Sequence, residues 1–172
     1  MPPPSSAPAP APTPPVSAPP GLAPASCAAA DTIPSASNLT AIRAATLCLV
    51  NAERTSRGLA PLIDNAQLAL AAQGHASDMA TQRYFSHGSA DGRTFDVRIR
   101  NAGYAGRYLA ENIAWGGSYL GTPRRIVGRW MNSPGHRANI LNGALRDSGV
   151  GVAPRTPQGG SGGTYVHDLG AP

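Results

Sequence analysis

The chain has 172 residues and a formal net charge of +5, and arginine supplies all 14 of its basic residues. This length accommodates one domain of ordinary size. No run of 18 apolar residues occurs, so the sequence predicts no membrane-spanning helix. The arginines are spread along the chain without a basic block. That pattern disfavours nucleic-acid binding and favours a weak attraction to anionic surfaces, such as lipid headgroups or wall polymer.

The first 26 residues consist almost entirely of Pro, Ala and Ser, which bury too little apolar surface to fold. We therefore predict that residues 1–26 are a disordered Pro/Ala-rich linker and that residues 27–172 form the domain. The N-terminus lacks the basic start and apolar centre of a signal peptide, and we expect that an export signal has been removed. The tether suits a secreted protein that is periplasmic, extracellular or peripherally held at a cell surface.

The chain contains two cysteines, Cys27 and Cys48. Cys48 lies on the side of a predicted helix opposite its apolar stripe, and an exposed free thiol is unusual in an exported protein. We therefore favour a Cys27–Cys48 disulfide. Two unpaired thiols and a lipid-bearing Cys27 are the alternatives.

Apolar spacing and capping residues indicate five helical segments along the domain. In chain order they are Asn38 to Arg57, Asn65 to Gln82, Thr94 to Asn101, a helix that follows Thr122-Pro123, and His136 to Leu141. Three segments have strand composition, namely Leu109 to Trp115, Ser148 to Ala153 and Thr164 to Leu169. Few strands among several helices, without regular βαβ alternation, predict an α+β fold with a small sheet covered by helices.

Six short motifs follow one another along the chain. They are Asn51-Ala52-Glu53-Arg54, Tyr84-Phe85-Ser86-His87, Glu111-Asn112-Ile113-Ala114-Trp115-Gly116, Trp130-Met131-Asn132-Ser133-Pro134-Gly135-His136-Arg137, Gly149-Val150-Gly151-Val152 and Tyr165-Val166-His167-Asp168-Leu169-Gly170. In this order they resemble a bacterial CAP (SCP-like) domain, of the superfamily of cysteine-rich secretory, antigen 5 and pathogenesis-related 1 proteins. The resemblance implies a three-layer α-β-α sandwich with a small, mainly antiparallel sheet and a solvent-open cleft.

The resemblance assigns three residues to that cleft. His87 and His136 match its two histidines, and Glu111 matches its glutamate. Ser133 stands where many eukaryotic members carry a second glutamate. Two neutral histidines can hold Zn²⁺ or another divalent metal weakly, one ligand short of the usual catalytic zinc site. Glu111 is the candidate catalytic residue, as a base that accepts a proton from metal-bound water.

Three functions are compatible with such a domain. We favour a non-enzymatic, monomeric binding module for a lipid, a sterol-like molecule or a cell-wall component. The alternative is a metal-dependent, protease-like hydrolase with Glu111 as base. A third interpretation is an adhesion module that acts through its loops. The simplest reading of the cleft residues themselves is a hydrogen-bonded polar cluster that supports the surrounding loops.

Several further polar and aromatic residues have expected positions. His75 shares a helix face with apolar residues, so we expect it to be buried with a hydrogen bond. His167 is expected at the surface or between strands. Trp115 and Trp130 are expected in the core. Arg54 either cross-links the first helix to neighbouring loops or lies on a solvated face.

Overall fold

The computed structural model describes residues 27–172, and the linker predicted for residues 1–26 lies outside the described residues. Five α-helices occur in this part of the chain: α1 (Leu39–Thr55), α2 (Ala66–Gln82), α3 (Phe95–Asn101), α4 (Pro123–Met131) and α5 (Pro134–Ile140). Four strands accompany them: β1 (Ile63–Asp64), β2 (Tyr108–Gly117), β3 (Asp147–Ala153) and β4 (Gly162–Ala171). Within residues 27–172, no helix has the length and apolar character needed to cross a membrane.

The strands form one sheet in the order β1-β3-β4-β2. The short β1 runs parallel to β3, and the other pairs are antiparallel. Helix α2 covers one face, where Met79 packs with Ile113 and Val166. Helices α1 and α4 cover the other face, where Ile42 and Trp130 share a core with the strands. The α+β class and the three-layer, mainly antiparallel arrangement are confirmed.

The close packing of α2 on the sheet depends on two glycines of β3. A Cβ at Gly149 would lie 2.1 Å from backbone atoms of Leu68 and Ala69, and a Cβ at Gly151 would lie 2.2 Å from the backbone of Ala72. Only hydrogen fits at these distances, so the motif that contains both glycines sets the spacing between helix and sheet.

On the edge strand β2, two outward-facing backbone carbonyls accept hydrogen bonds from side chains of α4. Arg129 donates to the carbonyl of Trp115 at 2.5 Å, and the Trp130 indole donates to that of Ile113 at 3.3 Å. Unpaired strand edges invite association with other strands, and these donors occupy such sites on β2.

Two further expectations about the scaffold are settled by the structure. Cys27 and Cys48 form a disulfide with a Cα–Cα distance of 5.8 Å, as favoured from the sequence. Arg54 is fully buried, so its placement on a solvated face is wrong and its cross-linking role is confirmed. Its guanidinium donates to the carbonyl of Ala60, to that of Ile140 at the end of α5, and to two carbonyls of the segment after α5.

The two tryptophans differ. Trp130 is fully buried in the core, as expected. Trp115 is only half-buried, because β2 is the sheet edge and this residue lies near the end of that strand. The expectation of a core position was therefore wrong for Trp115.

Candidate functional site

The cleft residues meet at the β2 edge of the sheet. Glu111 and Asn112 are consecutive on β2, so their side chains point to opposite faces. Glu111 meets His87, from the loop between α2 and α3, on one face. On the other face, the Asn112 amide donates to the backbone carbonyl of His136 on α5, at 3.1 Å. One strand thus positions both histidine-bearing segments, and the structure brings the predicted residues to one region.

The Glu111 carboxylate is buried and fully engaged. Oε1 lies 2.7 Å from Nδ1 of His87, and Oε2 lies 2.5 Å from Nη2 of Arg98. The Glu111 side chain is 0% exposed and that of Arg98 is 5% exposed, whereas that of His87 is 53% exposed. Glu111 therefore contacts His87 from the buried side, while the imidazole ring of His87 is exposed to solvent.

The Glu111 contact determines which nitrogen of a neutral His87 is free. A carboxylate accepts hydrogen bonds, so Nδ1 carries the proton and donates to Glu111. Nε2 of the neutral ring then has an unshared electron pair. A carboxylate behind a histidine is a common arrangement at metal sites, where it fixes the tautomer and orientation of the ring.

Arg98 is a site residue that the sequence analysis missed. Besides Glu111, it donates from Nη1 to the backbone carbonyl of His87 at 2.9 Å and to Oγ of Ser89 at 3.1 Å. It also reaches the backbone carbonyl of Arg93 at 3.1 Å. Arg98 therefore fixes the His87 loop to the strand that carries Glu111.

His75 holds the loop that carries His87 by a hydrogen bond to its backbone. It is buried, and its Nε2 lies 2.8 Å from the carbonyl of Ser86, so Nε2 carries a proton and donates. Burial, followed by the nearby charge of Arg98, lowers the pKa of His75 and keeps the ring neutral. The expectation of a buried, hydrogen-bonded histidine is confirmed.

His136 lies in the first turn of α5, after Ser133 at the N-cap position. Its pKa is lowered by burial and then by the charge of His87. The ring is therefore neutral at neutral pH, with an electron pair available on one nitrogen.

Asp168 is the second residue of the site that the sequence analysis missed. It pairs with Glu111 across β2 and β4, and it is fully buried. Neither carboxyl oxygen has a hydrogen-bond donor that satisfies ordinary geometry among the described residues. Burial and the charge of Glu111 raise the pKa of Asp168 well above its usual range. The carboxyl therefore retains a proton at pH values where an exposed aspartate has lost it.

His167, next to Asp168, lies between strands, and its placement at the surface is wrong. The ring is fully buried, stacks on Trp130 with a centroid distance of 5.6 Å, and lies 2.9 Å from Oγ of Ser148 on β3. Burial lowers its pKa to about 3, with a smaller effect from Arg54. His167 therefore belongs to the core and not to the cleft.

The donor set fits a weak metal site with two protein ligands. Within residues 27–172, no group of three or more His, Cys, Asp or Glu side chains is placed to hold a metal ion. His87 and His136 each offer one neutral ring nitrogen, which suits Zn²⁺ or a similar divalent ion. Glu111 is occupied by His87 and Arg98, so its geometry suits a support of His87 better than a free base.

Comparison with known proteins agrees with this architecture. Residues 47–166 match the CAP family, described as the cysteine-rich secretory protein family. The match covers more than half of the chain, which therefore belongs to the CAP family. The Bacillus subtilis protein YkwD is 39% identical over 131 residues, which represent 75% of this chain and 49% of YkwD. This chain thus spans about half the length of that relative.

Two solved structures have the same fold. An extracellular protein of Bacillus anthracis with an SCP domain superimposes with a TM-score of 0.68 at 26% identity, over 81% of this chain and 44% of that one. An outer surface protein of Borrelia burgdorferi has a TM-score of 0.63 at 22% identity, over 73% of this chain and 88% of that one. The Borrelia comparison shows the fold alone.

Proposed function

We propose that this CAP domain is a non-enzymatic extracellular binding module whose cleft holds a divalent metal ion through His87 and His136. A small or lipid-like ligand would bind in the same cleft, beside the metal ion. The observation that carries the proposal is the 2.7 Å contact between Nδ1 of His87 and buried Glu111. This contact leaves Nε2 of the neutral ring unprotonated and turned away from Glu111.

Two further features support weak, reversible metal binding. His136 has a lowered pKa, so no proton needs to leave it at neutral pH. With two protein ligands, the remaining coordination positions would belong to water or to a ligand. A bound divalent ion would supply a positive charge that attracts an anionic headgroup or carboxylate. The exposed aromatic ring of Phe85, in the same loop as His87, offers an apolar contact to such a ligand.

The hydrolase alternative receives less support from the geometry. A general base needs a free electron pair directed at the water that it deprotonates. Both oxygens of Glu111 already accept hydrogen bonds, and its side chain has no exposed surface. Activity that disappears with chelator and with Glu111→Gln would nevertheless favour the hydrolase.

An extracellular location is part of the proposal. The Bacillus anthracis protein of the same fold is described as extracellular, and that of Borrelia burgdorferi as an outer surface protein. The Cys27–Cys48 disulfide is consistent with an oxidising compartment. Detection of the protein in culture supernatant or at the cell surface, and not in the cytosol, tests this part.

Calorimetric titration with Zn²⁺ tests the metal site. We expect His87→Ala and His136→Ala each to weaken binding about tenfold or more, because each removes one of two ligands. Glu111→Gln should weaken binding less than His87→Ala, because a glutamine oxygen can still accept from Nδ1. Ser86→Ala and Arg137→Ala are matched controls, since both residues neighbour the histidines and are exposed. Binding that is unchanged in both histidine variants would refute the site.

A further inference from the structure

The segment of the chain that contains α4 and α5 carries positive charge and no acidic residue. Between Glu111 and Asp147 the sequence has no Asp or Glu, and its basic residues are Arg124, Arg125, Arg129, Arg137 and Arg146. The acidic residues lie before or after this segment, and among residues 27–172 the one that forms an ion pair with it is Asp31, through Arg124. This segment of the chain therefore carries charge of a single sign.

Three of these arginines surround a groove on the outer face of α4. The groove has a volume of about 290 Å³. Its lining residues come from α4 and its two ends: Leu120, Arg124, Arg125, Gly128, Arg129 and Asn132. The three arginines are exposed, and Gly128 leaves the space between them open, since a Cβ there would meet nothing within 4 Å. The groove is thus lined by guanidinium groups that solvent can reach.

Helix stability does not explain the position of these arginines. Arg124 and Arg125 lie in the first turn of α4, which contains no acidic residue. Cations at a helix N-terminus oppose the helix dipole. Within residues 27–172, neither Arg125 nor Arg129 has a carboxylate in ion-pair range. Asp31 compensates Arg124, and Arg129 donates one N–H to the carbonyl of Trp115, but the charges of Arg125 and Arg129 have no carboxylate partner among these residues. These two charges suit a partner that supplies negative charge.

Two exposed apolar residues lie just before the N-terminus of α4, near Arg124 and Arg125. The side chains of Tyr119 and Leu120 are 57% and 46% exposed, and Leu120 also lines the groove. The Arg125 guanidinium lies 5.4 Å from the centre of the Tyr119 ring. Tyrosine and leucine beside cations are typical of surfaces that enter the headgroup region of a bilayer. A soluble polyanion would bind the arginines but make no use of Leu120.

We propose that this arginine face, formed by Tyr119, Leu120, Arg124, Arg125 and Arg129, docks the protein onto an anionic lipid membrane. Lipid phosphates occupy the groove on α4, while Tyr119 and Leu120 enter the headgroup layer. The arginine face does not involve His87 or His136, so it functions whether or not the cleft binds metal.

Vesicle cosedimentation of the full chain tests the proposal, with Gly128→Glu as the central variant. The glutamate would stand among the three arginines without a steric conflict. Gly128→Gln is the matched control, because it has the same size without the charge. We expect the wild type and Gly128→Gln to bind phosphatidylglycerol vesicles but not phosphatidylcholine vesicles. Gly128→Glu should bind at least about tenfold more weakly, with an unchanged melting temperature relative to Gly128→Gln.

A pair of double variants separates this face from net charge. Arg125→Ala with Arg129→Ala should weaken vesicle binding about twenty-fivefold, from about fivefold for each cation. Arg100→Ala with Arg107→Ala removes the same charge from exposed positions outside α4 and should have a much smaller effect. Equal losses in the two double variants would overturn the proposal, because they would show attraction by net charge alone.

Polyphosphate separates a membrane from a soluble polyanion. Tyr119→Ser with Leu120→Ser should weaken binding to vesicles and leave binding to polyphosphate unchanged. Wild-type protein that binds polyphosphate but not phosphatidylglycerol vesicles at the same ionic strength would overturn the membrane proposal. Equal vesicle binding by the serine variant and the wild type would overturn the role of the apolar pair, and with it the preference for a membrane.

Discussion

Glu111 and Asp168 lie directly opposite each other on β2 and β4, and both are buried next to the guanidinium of Arg98. One cation cannot neutralise two carboxylates away from water, so the pair retains a proton. Glu111 has the hydrogen-bond donors, and Asp168 has the raised pKa. The proton therefore resides on Asp168, while the Glu111 carboxylate contacts His87 and Arg98.

Asp168→Asn tests this assignment. A folded-state pKa above the ordinary value of 3.8 means that the folded chain binds more protons than the unfolded chain. The contribution of the Asp168 carboxyl to the wild-type free energy of unfolding is therefore lost as the pH rises above about 4. The asparagine variant cannot ionise, and its amide can donate to Glu111. We expect Asp168→Asn to gain stability relative to wild type between pH 4 and pH 7, on the order of 1 kcal/mol, in urea unfolding. A relative loss over that range would show that Asp168 is ionised.

His167 should make the fold sensitive to acid. The unfolded ring binds a proton near its ordinary pKa of 6.5, whereas the buried ring does so only near about 3. The unfolded state is therefore favoured as the pH falls from 6.5 towards 3. Lowering the pH from 7 to 5 should cost about 2 kcal/mol through this residue alone. Urea unfolding of His167→Gln should show a shallower loss than wild type over this range, and parallel losses would contradict the account.

The disulfide should stabilise the domain without shaping the cleft. It joins residues 21 positions apart, and closing a loop of this length contributes about 3 kcal/mol. We expect the double variant Cys27→Ser with Cys48→Ser to lose about that much free energy of unfolding and to keep its affinity for Zn²⁺. A large loss of affinity in a folded double variant would show that the bridge also positions the cleft.

Arg54 should not be replaceable by lysine. Its guanidinium donates to carbonyls of Ala60, Ile140, Asn142 and Leu145, and burial lowers its pKa. A lysine ammonium is a single centre with three donors and cannot reach such a spread of acceptors. Arg54→Lys should therefore lose about 1–3 kcal/mol of unfolding free energy in urea. Arg57→Lys, at an exposed position on the same turn, is the control, and equal small effects at both positions would contradict this role.

The sequence predicted most of the scaffold because helix and strand periods are local properties. The order of motifs located His87, Glu111 and His136, and the two cysteines gave the bridge. The two-residue strand β1 was not predicted, since its pairing with β3 depends on a tertiary contact and not on its own composition. Metal binding by His87 and His136, with Glu111 as support, is a proposal.

Arg98 and Asp168 were missed for different physical reasons. Arg98 lies in a short helix with a second arginine, Arg100, and only the fold shows that the loop before it closes over its guanidinium. For Asp168, the predicted fold already indicated that the side chain is buried. A sandwich covers both faces of its central strands, so every residue of β4 is buried and the alternation that marks a half-exposed strand does not apply. His167 and Asp168 could therefore have been predicted as buried polar neighbours.

The most direct test of the cleft is the tautomer of His87, measured by long-range ¹H–¹⁵N correlation NMR at pH 8 and then with added Zn²⁺. The account predicts a neutral ring with the proton on Nδ1, together with zinc-induced shifts of Nε2 in His87 and of the ring of His136. His75, whose Nε2 donates to Ser86, provides an internal reference of the opposite tautomer. A proton on Nε2 of His87, or shifts in neither cleft histidine at millimolar Zn²⁺, would contradict the account.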